Sequence, residues 1–245
     1  MNGRWKSKFG PHPAFGANAI PPGARVIVEM EGVLYDDSAW ERWLFQLLVR
    51  MGISGSFDGF RAVWRRDYLA NVPSGSCSFE LTLRRFLAAI GMSDGTIHEV
   101  CAAAVCRHRH HISHPVLFPG VAGPILELGR LGVHWTAVHR SARSSTDWGR
   151  TLHTWRLSKT FDRIYAWPEV ISGDDSHVPV PPVLSRLVDA RTWYVSCDPT
   201  RLTATDRAGF MSVGYGTDGG CCRVACLSEL GEILRRSAVA PRRAA

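Results

Sequence analysis

The sequence predicts an α/β fold: a parallel sheet with helices on both faces, and a block of helices inserted after the first strand. Three observations carry this. A β-branched run, Arg25-Val-Ile-Val-Glu29, follows the break at Pro21-Pro22-Gly23 and ends near Gly32. A long stretch of helical periodicity comes next, with no strand pattern in it. From Gly120 onward, helical and extended segments alternate, as they do when βα units are laid side by side.

In the helical block, Trp40, Trp43, Leu44, Leu47, Leu48 and Met51 recur at helical spacing. So do Phe57, Phe60, Trp64 and Tyr68, and then Leu83, Phe86, Leu87 and Ile90. An Ala/Cys-rich stretch from about Thr96 to Cys106 makes a fourth helix. After Pro115 the order is helix at Gly120–Leu131, strand at Val133–Val138, helix at Thr146–Leu157 and strand at Phe161–Ala166. A Pro/Asp-rich loop precedes a short helix at Pro182–Val188 and a strand at Thr192–Val195. A helix at Thr200–Ala208, a strand at Met211–Tyr215 and an amphipathic helix at Leu227–Leu234 complete the series.

The chain has 245 residues and 45% apolar content, enough for one sizeable core or for a core with a small appended unit. No apolar run reaches the length of a membrane span, and the first residues lack the apolar centre of a secretory signal, so a cytoplasmic location is expected. Seven cysteines, odd in number and without a paired C-x-x-C framework, fit reduced thiols. Cys221, Cys222 and Cys226 could hold a soft metal, but no second half-site accompanies them and ordinary packing explains them. The net charge of +7 resides in the ends: residues 1–25 and 235–245 contain basic residues and no acids. Residues 1–24 and 237–245 therefore read as basic tails, solubilising rather than a nucleic-acid footprint.

In an open parallel sheet the site lies beyond the carboxyl ends of the strands, which directs attention to the residues after Val28, Val138 and Val195. There, Glu29-Met-Glu31-Gly32-Val-Leu34-Tyr-Asp36 is similar to the first motif, D-x-D-G-x-L, of haloacid-dehalogenase-like (HAD-like) hydrolases. Leu117-Phe-Pro-Gly120 and Leu126-x-Leu-x-x-Leu-Gly132 resemble that family's approach to its second motif. Lys159-Thr-Phe161-Asp162-x-Ile164 resembles its third strand, and Ala208-Gly209-Phe-Met211 the helix end after its fourth motif. The order of these matches runs through residues 25–236. The resemblance implies a Rossmannoid three-layer core at 25–36 and 115–236, with an inserted helical cap at 37–114.

What the resemblance implies for chemistry is a leading Asp nucleophile, a second Asp as acid, a Ser/Thr and a Lys gripping the transferring group, and acidic residues of the fourth motif holding Mg²⁺. Glu29 and Glu31 stand at the two Asp positions. Each keeps a carboxylate, but the extra methylene moves the oxygens by about 1.5 Å, and a misplacement near 1 Å can already lower a rate about a hundredfold. His139 falls where the small hydroxyl belongs; it either contacts a ligand or fills space, with Ser141 a possible substitute. The lysine is missing, because beyond Lys8 the only lysine is Lys159, ahead of the third strand rather than after it. Pro179, at the matching position, follows Val178, leaving His177 or an arginine to supply positive charge. Cys197 and Arg201 fall on the fourth motif's acidic positions, with Asp198 one residue away. A Mg²⁺ site would rest on Glu29, a backbone carbonyl and Asp198, with Cys197 a poor ligand and Arg201 repelling the ion.

Two functional readings follow. Losses at all four motifs point to a non-catalytic binding or interaction protein, a pseudoenzyme without a cofactor, whose ligand or protein partner meets the cap–core cleft. The other is an active hydrolase, a Mg²⁺-dependent phosphatase using Glu29, Glu31 and Asp198. A separate cluster, His108, His110, His111 and His114, either binds Zn²⁺ or Ni²⁺, with His110 and His114 on one helical face, or forms a basic solvated hinge; Arg107 and Arg109 oppose a cation there.

Overall fold

Val26, Ile27 and Val28 are wholly buried, as a β-branched run covered on both faces should be. They form the centre of strand β1 (Arg25–Glu29) in a computed structural model that describes residues 20–68, 76–141, 143–167, 179–189 and 191–237. Residues 1–19, His177, Val178 and residues 238–245 lie outside the described residues, and with them most of both basic tails. The chain divides into two compact units, with boundaries between Leu34 and Tyr35 and between Val116 and Leu117.

The first unit is a six-stranded parallel sheet. The five anticipated strands are present: β1, β2 (His134–His139), β3 (Phe161–Ala166), β4 (Thr192–Ser196) and β5 (Met211–Tyr215). A sixth, β6 (Cys222–Val224), was not anticipated, being three residues long and hidden behind the Gly219-Gly220 turn. Gly220 has φ of 72°, and a Cβ there would meet the Ser212 carbonyl oxygen at 2.5 Å, so the turn into β6 requires glycine. The order β3-β2-β1-β4-β5-β6 puts the first strand between β2 and β4, which is where the topology reverses.

Strand alternation sorts the two faces. Ile27, Val138 and Tyr194 pack with Leu184 of α7 (Pro182–Ser185) and Leu202 of α8 (Pro199–Arg207). On the other face His139 lies against Trp148 of α6 (Ser145–Thr154), and Trp135 lies under Gly129 of α5 (Ala122–Arg130). The expected final helix is a short 3₁₀ turn at Leu227–Glu229 followed by α9 (Leu230–Ser237), which meets Leu128 of α5 at Gly231. The unit therefore has three layers.

The second unit is helical. It comprises α1 (Ala39–Arg50), α2 (Phe57–Val63) running into a π-helical turn (Trp64–Tyr68), α3 (Ser76–Ala89) and α4 (Asp94–Ser113). Trp40, Leu44, Trp64, Leu83, Phe86 and Val100 meet in its core, and the Trp40 indole N–H donates to the Ala104 carbonyl at 2.8 Å. The expectation of a hinge at the His-rich segment is corrected here. Ser93 caps α4 by accepting from Thr96 N, and the helix continues through His108, His110 and His111, because the His108 ring stacks on Phe79 at 3.9 Å and meets Trp40 edge-on. Among the described residues no helix is long and apolar enough to cross a membrane.

Candidate functional site

The carboxyl ends of β1, β2 and β4 bring together Glu29, Glu31, Arg140, Ser196, Cys197, Asp198 and Arg201. Glu29 ends β1 on the sheet face that carries Tyr194 and Ser196, since Ile27 pairs with Tyr194 and side chains alternate along each strand. Its carboxylate is fully buried. One oxygen, Oε1, lies 3.1 Å from Arg140 Nε and 3.4 Å from Arg201 Nε, and the other accepts a hydrogen bond from the Ser196 hydroxyl.

Arg201 is fixed from behind. Arg201, on the first turn of α8, donates from Nη2 to the Trp167 carbonyl at 2.9 Å and lies over the Trp167 ring, 4.5 Å from its centroid. Arg140 follows β2 directly and extends its guanidinium across to β1. Asp198 joins the cluster more loosely: its Oδ2 is 3.8 Å from a nitrogen of each arginine, while its Oδ1 caps α8 by accepting from Thr200 N and Arg201 N. Both buried guanidiniums are thus balanced by acids, which is the condition for holding charge out of water.

Glu31 has a different task. Its two oxygens accept from Arg140 N at 3.0 Å and Ser141 N at 3.3 Å, so the carboxylate closes the loop that leaves β2. Gly32 follows with φ of 73°, turning the chain away beneath it. The Cys197 thiol donates to the Glu31 carbonyl oxygen at 3.6 Å.

Burial pushes the Glu29 carboxyl up to about 7 from its ordinary 4.5, against the pull of Arg140, Arg201 and the Ser196 hydroxyl, with Glu31 adding a smaller push upward. Burial and then the neighbouring Glu29 charge raise the Tyr194 phenol well above its usual range. His139 is held below its ordinary value by burial. Its Nδ1 faces the Ser141 carbonyl oxygen at 3.1 Å, which can only accept, so a proton sits on Nδ1.

Of the residues singled out from sequence, Glu29, Glu31, Cys197 and Asp198 converge. His139 does not join them: its ring occupies the α6 layer against Trp148, on the opposite face of the sheet from Glu29. Ser141 supplies no hydroxyl to the cluster either, because its Oγ accepts from the Trp148 indole N–H at 3.1 Å. Arg140 and Ser196 were missed as site residues. The signal was their address, each at the carboxyl end of a strand flanking β1.

The Mg²⁺ that the family resemblance implies does not fit these residues. Both oxygens of Glu29 are engaged, the Glu31 carbonyl receives a thiol, and one oxygen of Asp198 caps a helix. Two unit charges 4 Å apart interact by about 4 kcal/mol at an effective dielectric of 20, and a dication here would meet two guanidiniums at once. Among the described residues no group of three or more His, Cys, Asp or Glu side chains is arranged to hold a metal ion.

With this geometry in place, the chain can be set beside known proteins. No protein-family model matches it, and no curated protein matches its sequence. Solved structures do. A HAD-superfamily hydrolase of subfamily IA from Geobacter sulfurreducens superposes with a TM-score of 0.56 at 16% identity, over 90% of this chain and 100% of that one. The HAD-hydrolase YfnB from Bacillus subtilis, bound to magnesium, gives 0.59 at 15% identity, over 87% and 99%. A dehalogenase described with an intermediate complex gives 0.59 at 14%, over 87% and 97%. The chain therefore has the HAD-like hydrolase fold, a Rossmannoid α/β core with a helical insertion after the first strand.

Proposed function

We propose that this chain uses the HAD-like fold for binding rather than hydrolysis, as a non-catalytic member of that structural class. One observation carries the reading: the carboxylate at the nucleophile position is buried and held by Arg140, Arg201 and the Ser196 hydroxyl. In-line attack needs a carboxylate oxygen that faces the substrate about 3–3.5 Å from the reacting atom. Glu29 faces guanidiniums instead. The lysine of the family is absent, and Arg140 and Arg201 are already paired with Glu29 and Asp198.

The remodelled Mg²⁺ phosphatase draws on the convergence of Glu29, Glu31 and Asp198 and on a Glu29 carboxyl that titrates near neutrality. Against it, Glu31 spends both oxygens on backbone amides of the loop that leaves β2, which leaves no acid poised to protonate a leaving group.

The test is a broad panel of phosphomonoesters and 2-haloacids incubated with purified full-length chain, with and without Mg²⁺. The expected result is no phosphate or halide release above background. Turnover that disappears in Glu29→Gln, with the variant still folded, would establish the hydrolase and end the binding reading.

A further inference from the structure

The four imidazoles at the carboxyl end of α4, His108, His110, His111 and the capping His114, divide into two pairs with different surroundings. His108 and His111 are turned into the helical unit. His108 stacks on Phe79, and burial holds it down to about 4; His111 is half-buried beside Asp37 and Glu41. His110 and His114 are both exposed, their ring centroids 4.7 Å apart and their planes within 23° of each other. This is the i,i+4 arrangement that sets two side chains one above the other on a helical face.

We infer that His110 and His114 form a two-imidazole chelate for a borderline divalent transition ion of the Ni²⁺, Cu²⁺ or Zn²⁺ class. The juxtaposition of two exposed rings on one face at the carboxyl end of α4 supports this in three ways. Neither ring has a buried position to leave, so ligation exacts little desolvation. The end of a helix carries partial negative charge, which favours a cation within the last turn. Arg107, whose charge would oppose the ion, is drawn aside: its guanidinium lies over the Trp43 ring, 5.1 Å from the centroid. Arg109 sits one residue from His110, about 100° around the helix.

His114 Nδ1 faces the His110 carbonyl oxygen at 3.3 Å, so that nitrogen carries the proton and Nε2 is the ligating atom. No third His, Cys, Asp or Glu converges here among the described residues, so water completes the coordination. An ion bridging residues 110 and 114 would staple the last turn of α4, immediately before Pro115.

Tag-free full-length chain titrated with Ni²⁺ by calorimetry, with thermal melting in parallel, tests this. Ni²⁺ is chosen because thiolates, its competitors at the exposed cysteines, prefer softer ions. The expected result is one site that raises the melting temperature, weakened about tenfold or more in each of His110→Ala and His114→Ala, because either change leaves a single imidazole. His98→Ala, on the same helix and exposed, should leave it unchanged. Both test positions are exposed, so the variants are expected to keep their melting temperature without metal. Absence of Ni²⁺ binding in the wild type, or binding that survives His110→Ala, would overturn the inference.

Discussion

Two buried glutamates in this protein are each held by two arginines, one in each unit, and they differ in how the arginines arrive. Glu41, on the first turn of α1, takes Arg61 Nε at 3.0 Å and Arg65 Nε at 2.9 Å from successive turns of the neighbouring helical segment. Those arginine side chains are 35% and 27% exposed. Around Glu29 the arginines come from opposite flanks, one after β2 and one on α8, and are only 10% and 2% exposed. The Glu41 cluster can relax toward water when a partner is lost. The Glu29 cluster cannot, because the sheet, Trp167 and α8 enclose it. The same side-chain chemistry is therefore a modest brace in one unit and an enclosed, pH-sensitive cluster in the other.

The widest separation between the two should appear on removing one arginine from each. Arg201→Ala leaves the buried Glu29 with only one of its two guanidiniums, removes the contact with Trp167 and should destabilise the chain by about 3–5 kcal/mol in urea unfolding. Adding Glu29→Gln to Arg201→Ala should recover part of that loss, and simple additivity would mean that the pair is not coupled. Arg65→Ala, with Arg61 still on Glu41 and solvent close by, should lower stability by about 1 kcal/mol.

Between these extremes lies a pH effect belonging to Glu29. Its folded value of about 7 exceeds the ordinary 4.5, so the folded chain holds this proton more tightly than the unfolded chain. Its contribution is full below pH 4.5 and is lost as pH rises to about 7. Urea midpoints of the wild type compared with Glu29→Gln across that window should show the wild type losing ground with rising pH. A constant difference would mean that Glu29 remains charged throughout.

The first strand was legible because it is a β-branched run between Pro21-Pro22-Gly23 and Gly32, the later ones because extended segments alternate with helical ones, and the address of the site was legible because strand ends in an open parallel sheet gather ligands. Glu29, Glu31, Cys197 and Asp198 were found this way. The role of the arginines was not. Arg140 and Arg201 have long side chains whose direction depends on Trp167 and on the far side of β1, neither of which is near them in sequence. Of the two readings of His139 the structure takes the space-filling one, because motif order gives a position along a strand, whereas the face is set by register, and here the register turns it toward Trp148. The His-rich run looked like a hinge because a polar, positively charged segment lacks an apolar stripe; Phe79 and Trp40 supply the partner that keeps it helical.

The claim that guanidiniums stand where a metal-dependent site would need its cation is tested most directly by titrating the wild type with millimolar Mg²⁺ and following its melting temperature against NaCl of equal ionic strength. The account predicts no saturable shift. A saturable rise in melting temperature that disappears in Glu29→Gln would contradict it.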